Sequence, residues 1–463
     1  MNLLYKYYKV IEFIFLLFLL GTLSFGRGFS ILHVTTPLIP LFVTEIFLLF
    51  SLPLILIKLK FILKLPKRFL TVIFIYFLFG GLYCLLGILN RNLFVLRDIV
   101  LWLYMLFLFL TFIIFAKMNR LKLFLFILVL SNLLGIIVGR CLIFNMYPFG
   151  VLENFIKNTK TFNLGLYYGI TTSFLISFFN LRKRIIYKIF TSFLLALNSY
   201  MLIILGVRTV WVASILLIIF FALILKIRFI KILLYVIPMF IIIAGSLYYL
   251  DFELAKTNYK EIILSKAKGI EIFAKKTSFF AKPSTESAKP STESAKPYNH
   301  ALIPHKYGYT VDNIIWRLKV WVGALRFGLE SFVWGRGFGI YPRYEICGYH
   351  EPQGIGIDSG VIPTHNHLIS IFYKMGVVGL SLFLFVNIYV FFFALRYLRI
   401  SNSEFIKCFL SGSLGAFVFW HTMALFFDVI DSPSTSIFLW ILIGLIFASI
   451  DIDKNYNKNA TRT

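Results

Sequence analysis

The stretch THNHLISIFYKMGVVGL, residues 364–380, opens an otherwise apolar run with two histidines and an asparagine. Desolvating polar side chains in lipid is costly, so such a triplet implies a solvated location or a chemical task. Two arginines extend the set, Arg208 in GVRTVW and Arg317 in IIWRLKVW. A guanidinium stays charged at any working pH, and its planar fork matches phosphate oxygens. An imidazole titrates near neutrality and can accept a proton. Two such cations with His365 as base suit a phosphorylated donor and a hydroxyl nucleophile. Each residue also has a plainer reading: Arg208 snorkelling to headgroups, Arg317 anchoring a surface helix, His365 simply interfacial.

His367 is the rival base, but on a helix residues two apart point about 200° away from each other, so His365 and His367 would not share a site. In an extended strand both could ligate a metal, yet no third ligand stands at motif spacing. The four cysteines form no metal-motif pair, and no cofactor is expected; a Cys141–Cys347 disulfide stays open.

Whether these groups can meet depends on topology. Of 463 residues, 60% are hydrophobic and 14% charged, the balance of an all-α polytopic membrane protein. The hydropathy predicts twelve spans, at 10–26, 37–57, 69–89, 95–116, 121–139, 163–180, 189–206, 209–226, 232–250, 366–395, 405–427 and 434–450. The basic, uncleaved-looking N-terminal stretch is read as the first span. Lys and Arg cluster in alternate connections, from Lys6 and Lys9 to Lys454, Lys458 and Arg462, which puts both termini in the cytoplasm. The same clustering accounts for the net charge of +26, so membrane lipids rather than nucleic acid are the expected partners.

The chain then divides into helices 1–9 over residues 1–250, an outer loop over 251–362, helices 10–12 over 363–450 and a cytoplasmic tail over 451–463. The outer loop starts with a stretch that predicts an amphipathic helix and continues into AKPSTESAKPSTESAKP, residues 281–297. That seven-residue unit offers nothing to bury and reads as a flexible tether. Beyond it, VDNIIWRLKVWVGALRFGLESFVWGRGFGIY predicts a second amphipathic helix, with Arg317 and Trp321 on one face, ending in a tight glycine turn. On this topology Arg208, Arg317 and His365 all reach one membrane face.

Other charges are read as bystanders. Lys374 is expected to share the face of His367 and to snorkel; Glu12 and Glu45 have no evident basic partner; the DID run at Asp451–Asp453 is expected in a solvated tail. Asp428 and Asp431 sit at the last outer turn, where Asp431 or Ser432 could cap the final span.

The residues HNHLISIFYKMGVVG resemble the signature of the O-antigen ligase family: His365, Asn366, nine residues from His367 to Met375, then Gly376 and Gly379. The VRT arginine, the RLKVW…GRGFG block and twelve spans with one large outer loop extend the resemblance over most of the chain. It implies a glycosyltransferase C-like fold in the bacterial inner membrane. The implied reaction is metal-independent transfer, with inversion, of a glycan from undecaprenyl pyrophosphate to lipid A–core at the periplasmic face. It also implies Arg208, Arg317 and Asn366 as substrate-binding residues, His365 as the base, and an acid, Asp431, as its helper. Val207 stands where the family often has a small or hydroxylated residue, which loosens the match at Arg208. A polysaccharide polymerase using the same donor fits the motifs as well, and a transporter of the lipid-linked glycan is the alternative outside enzymology.

Overall fold

The computed structural model describes residues 2–35, 40–90, 94–143, 151–179, 185–224, 226, 229–255, 309–342, 364–427 and 432–460. An apolar chain in lipid must pair its backbone N–H and C=O groups within each crossing, and helices do so. In chain order they are α1 (Asn2–Phe25), α2 (Arg27–Ser30), α3 (Val43–Ile57), α4 (Leu59–Ile62), α5 (Lys67–Leu89), α6 (Val95–Leu103), α7 (Leu106–Phe115), α8 (Met118–Ile143) and α9 (Val151–Asn158). There follow α10 (Thr161–Phe179), α11 (Ile185–Leu205), α12 (Arg208–Leu223), α13 (Phe229–Ala255), α14 (Tyr309–Leu329), α15 (His367–Ile400), α16 (Glu404–Ala424) and α17 (Pro433–Ala460).

Eight of these hold segments long and apolar enough to cross a membrane: 4–25, 67–89, 118–143, 161–179, 185–205, 230–247, 367–400 and 433–456. The chain is a multi-pass membrane protein. The other four expected spans are helical too, but α3, α7 and α12 are shorter and α16 is not among the eight.

Several expectations need correction. The all-α expectation holds for nearly all the described residues, but the start of the span expected at 37–57 is a strand: His33–Thr35 (β1) pairs antiparallel with Pro40–Phe42 (β2). The span expected at 95–116 is broken at Tyr104 and Met105 into α6 and α7. Tyr104 is fully buried there and its hydroxyl donates to Oε1 of Glu45, so a hydroxyl rather than a basic group is the partner of that acid. Glu12 is ion-paired with Arg120 and with Lys9, the latter at 3.2 Å. The last helix runs on through the expected tail, where buried Asp453 accepts the Ser401 hydroxyl at 2.9 Å instead of being solvated. The repeat at 281–297 and Cys347 lie outside the described residues.

Small residues let the helices approach closely, as lipid-embedded bundles require. Gly169 of α10 receives the Phe419 ring of α16, while Gly412 and Gly415 of α16 receive Phe174 and Phe221. Between α8, α11 and α10, Asn132 donates to Asn198 at 2.8 Å and Asn198 donates to Thr172 at 3.3 Å.

The feature with most consequence is a break inside α15. Gly376 has φ 64° and ψ −169°, a backbone region that only glycine occupies readily. In an unbroken helix the N–H groups of Val377 and Val378 would bond to the carbonyls of Tyr373 and Lys374. Instead they donate to Phe332 and Val333 carbonyls, at 2.8 and 3.3 Å. The Tyr373 and Lys374 carbonyls accept from the N–H groups of Arg336 and Gly337, at 2.7 and 2.9 Å. Two helical bonds are thus exchanged for four bonds to the segment after α14. The GRGFG run is the expected tight turn, with Gly335, Gly337 and Gly339 at φ 77°, 96° and 78°.

A Cβ on Gly376 would collide with the Val333 carbonyl, and one on Gly335 with the Gly376 amide. Gly376→Ala and Gly335→Ala should each cost about 1–3 kcal/mol from backbone strain alone, lowering the thermal midpoint of the purified protein in detergent. Gly245→Ala in α13, where an added Cβ meets nothing within 4 Å, should leave the midpoint unchanged or raise it. An unaltered midpoint for Gly376→Ala would contradict the exchanged ladder.

Candidate functional site

Helix α14 lies along the first turns of α15, sharing an apolar cluster of Ala324, Ile369 and Tyr373, with Gly328 set against Phe372 and Tyr373. This packing brings Trp316, Arg317 and Trp321 to the start of α15. The Trp321 indole N–H donates to the Thr364 carbonyl at 2.8 Å. The Trp316 ring centroid lies 5.3 Å from that of His365. Arg317 donates through Nη1 to the Phe426 carbonyl at 2.7 Å, and its guanidinium carbon is 5.2 Å from the centre of the Phe427 ring. Arg317 and His365 therefore belong to one neighbourhood, between α14, the entry to α15 and the exit of α16.

The entry to α15 is built residue by residue. His365 has φ +50°, one of two non-glycine residues with positive φ among the described residues, and it is half-buried. A left-handed conformation at such a residue costs about 1–2 kcal/mol, and strain of this kind concentrates at functional sites. Asn366 follows in extended geometry, and its Oδ1 accepts from the N–H groups of Leu368 and Ile369 at 3.0 and 3.2 Å. It is the N-cap of α15, a use the expected substrate-binding role did not include.

His367 is the first residue inside the helix and is buried between Phe383 and Trp420, each ring centre 5.7 Å away. Its Nδ1–H donates to the Ala424 carbonyl at 2.9 Å. The two histidines do diverge, although His365 precedes the helix rather than sharing it, so the expected 200° separation is not the cause.

Arg208 is the first residue of α12, preceded by Gly206 at φ 60°. Two residues on, Val210 packs on Gly165 of α10. The same end of α10 carries Phe162, stacked on Phe427 with centroids 5.0 Å apart and planes 9° from parallel, and Asn163, which donates to Ser434 at 2.9 Å. Phe427 is the ring beneath Arg317. Arg208 therefore stands at the same end of the bundle as Arg317 and His365, one helix away. The N-terminus of a helix is itself electropositive, so an arginine placed there makes a strong attractor for anions. Asp428 and Asp431 lie outside the described residues.

Sequence reasoning missed one polar cluster altogether. Lys374 does not snorkel: it is buried, and its ammonium is 2.9 Å from Oδ1 of Asp98 in α6. Asp98 also accepts the Tyr341 hydroxyl at 2.8 Å and the Gly339 N–H at 2.7 Å. Opposite charges in two apolar spans were the available signal, because each needs a partner in lipid. Among the described residues no group of three or more His, Cys, Asp or Glu side chains could hold a metal ion, and the cations gathered at this end are guanidinium groups.

The cap at Asn366 has a measurable consequence. Asn366→Ala should cost about 0.5–2 kcal/mol and lower the thermal midpoint. Asn366→Ser or Asn366→Asp, which keep a side-chain acceptor for Leu368 and Ile369, should recover most of it. Equal midpoints for Ala and Ser would mean the cap contributes nothing.

No curated protein matches the chain. The family model for O-antigen ligase matches residues 192–384, from α11 through the first half of α15, and so takes in Arg208, Arg317, His365, Asn366 and Gly376. Over that stretch the chain is similar to the O-antigen ligase family.

Proposed function

We propose that this protein is a membrane glycosyltransferase that moves a glycan from undecaprenyl pyrophosphate to a lipid A–core hydroxyl. The reaction takes place at the periplasmic face of the inner membrane, with both termini in the cytoplasm and twelve crossings between them. The observation that carries the reading is the convergence of Arg317 and His365 at one end of the bundle, bridged by Trp316, with Arg208 at the same end. It is supported by the family match, which bears on ligase- or polymerase-type chemistry in general.

In this mechanism the lipid-linked sugar lies with its pyrophosphate between Arg208 and Arg317. As the bond from the anomeric carbon to the phosphate oxygen breaks, negative charge grows on that oxygen, and fixed guanidinium groups in a partly dry site stabilise it. Their forks meet phosphate oxygens in pairs, which a point-charge ammonium cannot do. His365 takes the proton from the acceptor hydroxyl as the oxygen attacks the anomeric carbon from the opposite side, inverting the configuration. Its left-handed backbone holds the imidazole outside α15, while Asn366 caps the helix and Trp316 flanks the ring. Asp431 is proposed to charge-balance the imidazolium that results.

Transfer by the purified protein from lipid-linked glycan to lipid A–core, with no ion gradient, is the direct test; absence of transfer would favour a transporter. His365→Asn tolerates the left-handed backbone and removes the base, so it should lose roughly 10² to 10⁴-fold in kcat, as should His365→Ala. Arg208→Lys and Arg317→Lys should each lose roughly 10²-fold or more without loss of membrane insertion. In a deletion strain, polymer retained on its carrier and missing from lipid A–core supports the ligase, whereas cores bearing a single repeat unit would make the protein a polymerase.

A further inference from the structure

The Asp98–Lys374 pair stands apart from the groups assigned to substrate, and it is unusual on physical grounds. Both side chains are nearly inaccessible, 2% and 7% exposed, and they come from positions 276 residues apart. Burying two charges is costly unless geometry and further hydrogen bonds compensate, and here they do. Asp98 receives three donors: the Lys374 ammonium, the Tyr341 hydroxyl and the Gly339 N–H, at 2.9, 2.8 and 2.7 Å. The ammonium also lies 4.7 Å from the centre of the Tyr341 ring.

Two of the three elements joined by this cluster, α15 and the segment that leaves α14, set the candidate site, and the third, α6, braces them. Asp98 belongs to α6; Gly339 and Tyr341 end the segment that leaves α14; Lys374 lies two residues before the break in α15. Its own carbonyl accepts the Gly337 N–H, so side chain and backbone of one residue hold the same loop. Tyr83 of α5 adds a hydroxyl bond to the Trp334 carbonyl on the loop's other flank. We propose that Asp98 and Lys374 are positioning residues: their ion pair clamps the segment 332–341 to α15, and so fixes α14, with Arg317, against the entry that carries His365. Neither residue touches substrate. The inference rests on the transferase reading for its kinetic consequence, while the clamp itself is a statement about helix positions.

The test uses full-length protein in lipid nanodiscs with two readouts. The first is the distance between spin labels on cysteines substituted for Leu318 in α14 and Ile388 in α15, both exposed. The second is kcat and KM for lipid-linked glycan, per monodisperse protein. Asp98→Asn and Lys374→Gln each leave one charge buried alone; each should broaden or shift the distance distribution. Each should also lower kcat by roughly 10²-fold, the effect of a misplacement of about 1 Å, with KM changed by less than about threefold. The double variant Asp98→Asn/Lys374→Gln leaves no lone charge and keeps an amide acceptor for Gly339; it should narrow the distribution again and recover kcat to within about tenfold. Tyr341→Phe removes one bond and covers the case in which the single charge variants do not fold; it should shift both readouts the same way by less.

Wild-type distances and kcat in Asp98→Asn, or in Tyr341→Phe where the charge variants fail to fold, overturn the clamp. So does a loss of kcat that the neutral pair does not restore. If the wild-type protein shows no transfer at all, the transferase reading fails and the distances alone decide the clamp.

Discussion

A helix that breaks within a membrane leaves carbonyl and amide groups that lipid cannot satisfy, and in this protein a second segment supplies the partners. At Gly376 the ladder of α15 opens, and residues 332–337 take over both carbonyls before the break and both amides after it. Four hydrogen bonds then weld the end of α14 to the middle of α15. Because the weld can form in only one register, the position of α14 along α15 is set, and with it the approach of Trp316, Arg317 and Trp321 to Thr364 and His365. The glycines follow from this constraint: the embrace of Gly335 and Gly376 leaves no room for a side chain on either.

The same economy governs charge. Acidic groups inside the bundle meet partners at helix junctions: Glu12 with Arg120 and Lys9, Glu45 with the Tyr104 hydroxyl, Asp98 with Lys374. Each such match joins elements distant in sequence and discriminates against other packings, since a misplaced helix would strand a charge in lipid. At the end of the bundle where α10, α12, α14 and α15 begin and α16 ends, cationic and aromatic side chains gather instead. A guanidinium on an aromatic face, a second at a helix N-terminus and an imidazole on a left-handed backbone, between tryptophan and helix cap, form a surface suited to an anion.

Much of this was legible in the sequence, and for a physical reason: hydropathy reports the medium, so runs of apolar residues located helices wherever the chain crosses. The basic connections and the HN-x9-GxxG spacing drew attention to His365 and to the loop arginines. What stayed hidden was pairing over long separations. Nothing local in VLRDIV or FYKMG says that Asp98 and Lys374 meet, and a lone lysine near a span end looks like a snorkeller. The division of 95–116 was equally invisible, because Tyr104 and Met105 are ordinary helix residues and nothing local marks a break there. Asn366 was read as a ligand where its position before an apolar run also marked a helix start.

The central claim is that two guanidinium groups and one imidazole surround a single lipid diphosphate. Cryo-electron microscopy of the protein with bound undecaprenyl pyrophosphate tests it most directly. The account predicts diphosphate density between Arg208 and Arg317, with open space between the terminal phosphate and His365 for the donor sugar and the acceptor oxygen behind it. Diphosphate density at the other end of the bundle, or out of reach of both arginines, would contradict it.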